Sequence, residues 1–234
     1  MLILGIVEAA LELIPEAIAH DSTVVTAAKT RRKVPAHTLL DESIHHMAMR
    51  NLSNNEKRGR PDIVHRSLLT ALDSVFAREA KLQLFVHTYT GQIFEVNQQT
   101  RLPRRYNRFV GLMEQLLLEK TLPVQGQPLL QFHDGPIDQY VQSLQPTRTF
   151  LLEEGGQSIS PLELARLLME EAKPIVLVGG FAHGAITSEI RQLADQKVCI
   201  DPESLSTSTA IGMLLHSLEN TLNLTEQRFS KAKR

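Results

Sequence analysis

The chain begins with unbroken apolar residues at positions 2–7, without the alternation of a half-exposed strand, and this predicts a buried β-strand. Residues 36–50 carry Leu39, Leu40, Ile44 and Met47 at helical spacing, and residues 63–78 repeat the pattern with Ile63, Leu68, Leu72, Val75 and Phe76. The polar stretch 51–59 between them reads as a turn. Two β-rich runs, 81–88 and 92–96, flank Tyr89, Thr90 and Gly91 and predict a hairpin. Residues 107–119 form an amphipathic helical pattern with Asn107 as its expected cap. Residues 121–136, with Pro123, Gly126, Pro128, Gly135 and Pro136, read mostly as connection.

The last third alternates strands with helices. A strand over 147–153 is expected to end at Glu153, Glu154, Gly155 and Gly156. A helix over 160–172 follows, with Ser160 as N-cap, Pro161 at its first position and Glu163 completing a capping box. An apolar run ends at Gly179-Gly180 before a helix around 186–194. A short strand then ends at Asp201-Pro202 before a helix over 207–222. The basic tail with Lys231, Lys233 and Arg234 is expected to fray. Such alternation predicts a parallel α/β sheet. Ligands bind beyond the carboxyl ends of its strands, where this chain places Gly, Ser and Thr.

Composition narrows the class. With 234 residues and 42% hydrophobic content the chain suits one large domain. The single cysteine, Cys199, excludes an internal disulfide and a cysteine zinc cluster. It reads as a buried, inert thiol in a reducing, cytoplasmic setting. No apolar run reaches the ~20 residues of a membrane span, and Glu8 and Glu12 inside the apolar start exclude a signal peptide. The nine histidines show no metal-binding spacing, and His65 and His87, on apolar faces, read as core or surface-edge residues rather than ligands; no metal is expected. The net charge is only -1, but residues 50–108 hold 11 Lys and Arg against 5 Asp and Glu, while the remainder holds 14 against 21. A basic middle on an acidic chain fits a polyanion partner or a solvated surface.

Three motifs carry candidate chemistry. The loop Gly179-Gly180-Phe181-Ala182-His183-Gly184 lets backbone groups approach a ligand, or makes a tight turn; it is neither a dinucleotide fingerprint nor a P-loop. Gly59-Arg60-Pro61-Asp62 sits at a predicted helix start. Asp62 there caps the helix dipole or orients Arg60 toward a phosphate or base. The run Arg101, Arg104, Arg105 and Arg108, with Tyr106 and Phe109 interleaved and no acid, favours RNA, since guanidinium groups fork onto phosphates and stack on bases.

The stretches LLDESIHHMAM, RGRPDIVHRSLL, FVHT, TRLPRRYNRFVGLMEQLL, LLEEGG and VGGFAHG resemble the archaeal and eukaryotic ribosome-biogenesis methyltransferases that modify ring nitrogen 1 of a pseudouridine in small-subunit rRNA. The resemblance runs over nearly the whole chain, although the third cofactor loop, residues 204–210, lacks the family's usual proline. It implies a single SPOUT-type α/β domain over 1–234, a parallel sheet with a C-terminal trefoil knot, and an RNA-binding extension, a small β-hairpin and basic insertion, at about 79–106. It implies S-adenosylmethionine as cofactor, a small-subunit rRNA hairpin as partner, a homodimer and contacts with ribosomal proteins. The cofactor residues would be Leu152, Gly155, Gly179, Gly180, Gly184, Ile200, Leu205, Ser206, Thr207 and Thr209. Arg60, Arg101, Arg104, Arg105 and Arg108 would hold RNA, and Asp62 and Arg60 would act on the target base. Two alternatives stay open: a SPOUT methyltransferase of another RNA, and a non-catalytic small-subunit assembly factor.

Overall fold

The structure is a computed structural model that describes residues 1–232. Its order is β1 (Leu2–Ala9), α1 (Glu16–Ala19), α2 (Ser22–Thr30), α3 (Glu42–Met49), α4 (Pro61–Asp73), α5 (Val75–Arg78), β2 (Leu82–Thr88), β3 (Ile93–Val96), α6 (Tyr106–Glu119), β4 (Thr121–Leu122), β5 (Leu130–His133), α7 (Ile137–Ser143), β6 (Arg148–Ser158), α8 (Pro161–Glu170), β7 (Pro174–Gly179), α9 (Ser188–Gln192), β8 (Gln196–Cys199), α10 (Thr207–Thr221) and α11 (Leu224–Ala232). The strands form one sheet in the order β4-β5-β3-β2-β1-β7-β6-β8. β2, β1, β7, β6 and β8 are mutually parallel, whereas β3, β5 and β4 add antiparallel pairs at one edge.

The expected parallel α/β sheet is therefore present in its five central and distal strands, with an antiparallel edge made by β3, β5 and β4. Its central strand β1 is buried at every position, as the unbroken apolar run requires. Alternate residues face opposite sides of a strand. Leu2, Leu4 and Ile6 meet α4, α6, α8 and α10, while Ile3 and Val7 meet α7 and α9. The hairpin also forms: β2 pairs in parallel with β1 and antiparallel with β3, so it is laid directly onto the central sheet.

Several boundaries move. The helix expected over 36–50 starts only at Glu42, because Asp41 is extended and its carboxylate caps Ser43 N. Leu39 and Leu40 are buried ahead of it, while Ile44 and Met47 point outward at 46% and 49% exposure; His45, Ala48 and Met49 form the inner face instead. The helix expected over 63–78 breaks at Ser74, whose side chain caps α5 through Ala77 N. Asn107 is no cap: α6 begins at Tyr106, whose hydroxyl donates to Asp41 Oδ2 at 2.5 Å. The stretch 121–136 is not mere connection. It supplies β4 and β5, which are too short to show a period of two and are ordered by pairing along β3. β6 does not stop at Gly156. It runs to Ser158 with a register shift between Leu152 and Gln157, and Gly155 takes φ 80° there. The capping box of α8 forms with both hydrogen bonds. Lys231 lies in α11, near Glu79 at 3.8 Å, rather than in a frayed tail; Lys233 and Arg234 lie outside the described residues.

One buried acid holds the segment between α2 and α3 to α6. Glu114 of α6 is 1% exposed and accepts from Arg31 Nη2 at 2.9 Å, from Leu39 N at 3.0 Å and from Lys33. Glu114→Ala removes charge-assisted bonds to Arg31 and Lys33, which water can reach, and leaves the buried Leu39 amide without its acceptor, so a loss of about 2 kcal/mol is expected in urea unfolding; an unchanged midpoint would show that these bonds contribute nothing net.

Candidate functional site

A cavity of about 400 Å³ opens at the carboxyl ends of β6, β7 and β8. Its wall is mixed. Leu152, Val178, Phe181, Ile186, Leu205 and Ala210 supply apolar surface, and Glu153, Glu154, Asp201 and Glu203 place carboxylates around it. Among the described residues the one cation on the wall, Arg191, is tied to Glu153, with Nε to Oε1 at 2.5 Å. Of the predicted cofactor residues, Leu152, Gly179, Gly184, Ile200, Leu205 and Thr207 line the cavity. The remaining four do not. Gly155 sits in the β6 bulge, and Gly180 packs against β1, where a Cβ would meet Ile6 Cγ2 at 2.7 Å and Ala9 Cα at 2.8 Å. Ser206 caps α10 by accepting from Thr209 N, and its hydroxyl contacts Thr209 Oγ1 at 2.8 Å. Thr207 Oγ1 donates to Gly179 O at 2.7 Å and so joins the third loop to the second. Cys199 is not a sealed core thiol. It is half-buried on the cavity wall, with Sγ donating to Asp201 O at 3.0 Å.

The Gly180 loop is joined to the Arg60 turn by two backbone bonds. Ala10 N donates to Gly180 O at 2.8 Å, and Arg60 N donates to Ala10 O at 3.2 Å. At the turn, Arg60 forks onto Asp62 through Nε–Oδ1 at 2.8 Å and Nη2–Oδ2 at 3.0 Å, and Arg66 also pairs with Oδ2. Partial burial pulls the Asp62 carboxyl upward, but the two guanidiniums outweigh it and hold the group below the usual carboxylate range. Tyr106 and Asp41 approach the same place. Burial and the Asp41 acceptor push the Tyr106 phenol far above its ordinary value, so it stays a hydrogen-bond donor. The starts of α3, α4 and α6 thus converge, and amide-rich helix starts favour anions. Arg101, Arg104, Arg105 and Arg108 are all exposed along this edge, Arg104 reaching Asp73 at 3.1 Å. His65, buried as expected, stacks on Phe109 at 4.3 Å and contacts Pro103 O at 2.7 Å, fixing the arginine run on α4.

Sequence reasoning passed over the residues that join the two regions. Glu8, at φ 49° where β1 leaves its register with β2, is 5% exposed. Its carboxylate receives Lys57 Nζ at 2.5 Å and Thr187 N at 2.8 Å. Lys57 is itself buried. Its ammonium sits 4.5 Å from the centre of the Phe181 ring, and its stem fills the space beside Gly184. Arg58 makes the matching fork onto Glu12, at 2.7 Å through both Nε and Nη2. The only available signal was the presence of two acids inside an apolar run. His87 accepts from Glu8 N at 3.3 Å through Nδ1, and burial lowers its pKa to about 4. Among the described residues no group of His, Cys, Asp and Glu is placed to hold a metal ion, and no helix is long and apolar enough to cross a membrane.

A parallel sheet with a mixed cleft at its carboxyl edge, walled by three loops and flanked by converging basic helix starts, defines an α/β protein that binds a small molecule beside a polyanion. The family model described as EMG1/NEP1 methyltransferase matches residues 4–219, and the chain belongs to that family. It is similar to the ribosomal RNA small subunit methyltransferase Nep1 of Thermococcus kodakarensis, 38% identical over 224 residues, which cover 96% of this chain and all of that one. The Nep1 of Staphylothermus marinus is 40% identical over 220 residues, covering 94% and 95%. The crystal structure of Archaeoglobus fulgidus Nep1 bound to S-adenosylhomocysteine superposes with a TM-score of 0.83 at 37% identity, covering 93% of this chain and 96% of that one.

Lys57→Met leaves the Glu8 charge buried without its partner and is expected to cost about 3 kcal/mol in urea unfolding, most of it returned when Glu8→Gln is added. Equal stability of the single and double variants would show that the pair is already solvated. His87 binds a proton less readily folded than unfolded, so its neutral form contributes stability that is full above about pH 6.5 and is lost as pH falls toward 4. Thermal melts between pH 4 and 7 should show this slope, and His87→Gln should flatten it.

Proposed function

We propose that this chain methylates ring nitrogen 1 of a pseudouridine in a small-subunit rRNA hairpin, with S-adenosylmethionine held in the β6–β7–β8 cleft. Membership of the methyltransferase family and likeness to a relative solved with S-adenosylhomocysteine support the cofactor. The cleft itself fits it. A volume of about 400 Å³ is in the range of small-molecule sites. The apolar wall accepts an adenine ring, the glycines Gly179 and Gly184 leave backbone groups accessible, and the carboxylates complement a cationic sulfonium. The observation that carries the substrate half is the pair of backbone bonds from Gly180 through Ala10 to Arg60, which sets the Arg60–Asp62 fork beside the cofactor loop.

When bound, S-adenosylmethionine supplies an electrophilic methyl group and leaves as S-adenosylhomocysteine. The target base is flipped out of its stack to reach it. Pseudouridine offers a ring N–H where uridine has its sugar bond, and transfer to that nitrogen releases its proton. Asp62, held anionic by two guanidiniums, is a weak base, so the proton passes to water. Asp62 instead locks Arg60, whose guanidinium stabilises negative charge developing on the neighbouring carbonyl. Arg101, Arg104, Arg105 and Arg108 grip the hairpin phosphates, so that of the segment at about 79–106 the exposed arginine-bearing end, and not the buried strands β2 and β3, serves as the RNA-binding part of a single domain. Gly155, Gly180, Ser206 and Thr209 act through loop shape rather than from the cavity wall. The proposal carries with it the C-terminal trefoil knot, a homodimer, contacts with ribosomal proteins and a cytoplasmic location.

Labelled S-adenosylmethionine offered to two hairpins that differ only in a loop pseudouridine or uridine should mark the pseudouridine hairpin alone. Asp62→Ala should lower turnover by about a hundredfold with cofactor affinity unchanged, the scale of losing one oriented charge-stabilising donor. Label on neither hairpin, with both still bound, would replace catalysis by an assembly role; label on both would remove the pseudouridine requirement.

A further inference from the structure

We propose that the outward face of α6, with the C-terminal end of α2, is a second contact strip for the RNA backbone, carrying the bound stem beyond the target nucleotide; this rests on the rRNA reading above. Residues 22–40 hold Lys29, Arg31, Arg32 and Lys33 and no acid. Arg31 and Lys33 are used internally. Both pair with Glu114, Arg31 at 2.7 Å, and so pin the end of α2 to the flank of α6. Lys29 and Arg32 are exposed and make no ion pair among the described residues. Arg32 also takes φ 55°, a helix-terminal conformation that glycine would adopt with less strain.

The α6 face beside them is polar and has a gap. Asn107, Gly111 and Leu118 follow helical spacing along it, with Arg108 and Gln115 alongside. Apart from partly covered Gly111 all are exposed. A Cβ at Gly111 would meet nothing within 4 Å, so no contact inside the chain requires glycine there. Glycine in a helix interior costs about 1 kcal/mol relative to alanine. The missing side chain instead clears a path for a close backbone between Arg108 on one side and Lys29 and Arg32 on the other. From Arg108 to Glu114 the axis rises about 9 Å, short enough for one strand of phosphates to meet both cation groups. Only Leu118 on this face is a large exposed hydrophobic, whereas a protein partner would need an apolar centre. Cations and amides match phosphates and sugars.

The test uses the full chain and two pseudouridine hairpins, one with a short stem and one extended by about a helical turn. Gly111→Gln should leave the melting temperature unchanged or raised, because glutamine is the better helix former, yet weaken the long hairpin about tenfold and the short one by less than about twofold. The Lys29→Ala/Arg32→Ala variant should weaken the long hairpin selectively and reduce its salt slope by about 1.5, the release expected from two phosphates. The proposal is overturned if wild type binds the two hairpins equally, or if neither variant changes long-hairpin affinity. It is also overturned if Gly111→Gln alters the oligomeric mass at constant RNA affinity, which would assign the face to a second copy of the chain. Wild type binding neither hairpin overturns the rRNA reading as well.

Discussion

The arrangement of the whole site depends on one buried carboxylate. A charge removed from water is tolerated only when its lone pairs are taken up by partners. Glu8 meets that requirement with two partners from distant parts of the chain: the Lys57 ammonium and the Thr187 amide. Both must reach the end of β1 for the charge to be satisfied. Lys57 therefore brings the turn that contains Arg60, and Thr187 brings the far end of the loop that begins at Gly179. An apolar pair of similar volume could fill the space as well or better, but it would not specify which two segments meet. The Glu12–Arg58 fork, from the non-helical segment that follows β1, repeats the arrangement, so the turn leading to Arg60 is held at two adjacent charged points, Lys57 and Arg58.

The sheet supplies the second constraint. Parallel strands end together, and the chain leaves each carboxyl end over the same edge. Space at that edge is limited, which explains the glycines. Gly156 lies so close to β8 that a Cβ would meet Val198 N at 2.6 Å, and Gly180 is pressed as tightly against β1. Both are close approaches of backbone to backbone inside the protein. They narrow the gaps between loops, and the cavity is what remains between them. The distinction matters for the second loop, where Gly179 and Gly184 face the cavity and Gly180 faces the core, although all three belong to one short motif.

Much of this was legible in the residues. The buried strand, the hairpin, the capped helix after Ser160 and the strand–loop–helix rhythm of the last third follow from period and caps, and they form where expected. The exact start of α3 did not, because Asp41 outcompeted an apolar spacing that continued through Leu39 and Leu40; Leu39 is buried in the main core and Leu40 among α1, α2 and α3, and Ile44 and Met47 are left outside. β4 and β5 were hidden by their length and their prolines, since only pairing along β3 orders them. The Glu8–Lys57 pair was hidden for another reason. Its members stand 49 positions apart, and an acid in an apolar run reveals its partner only once the topology is known.

Asp62 shows how geometry revises chemistry. An aspartate in the proposed substrate site invites a general-base role, which requires a carboxyl whose pKa is raised. Here two arginines flank it, and their attraction exceeds the opposing effect of burial. A carboxylate in that field gives up little by staying ionised and gains little by accepting a proton. What it does well is hold a planar guanidinium in one orientation, because the fork fits both oxygens at once. In the proposed reaction Arg60 would then carry a fixed positive charge toward the base, and Arg66, on the next turn of α4, also pairs with Asp62 Oδ2. The pair is most useful to a reaction whose difficulty lies in developing negative charge on the base, and methyl transfer to a ring nitrogen that must shed its proton is such a reaction.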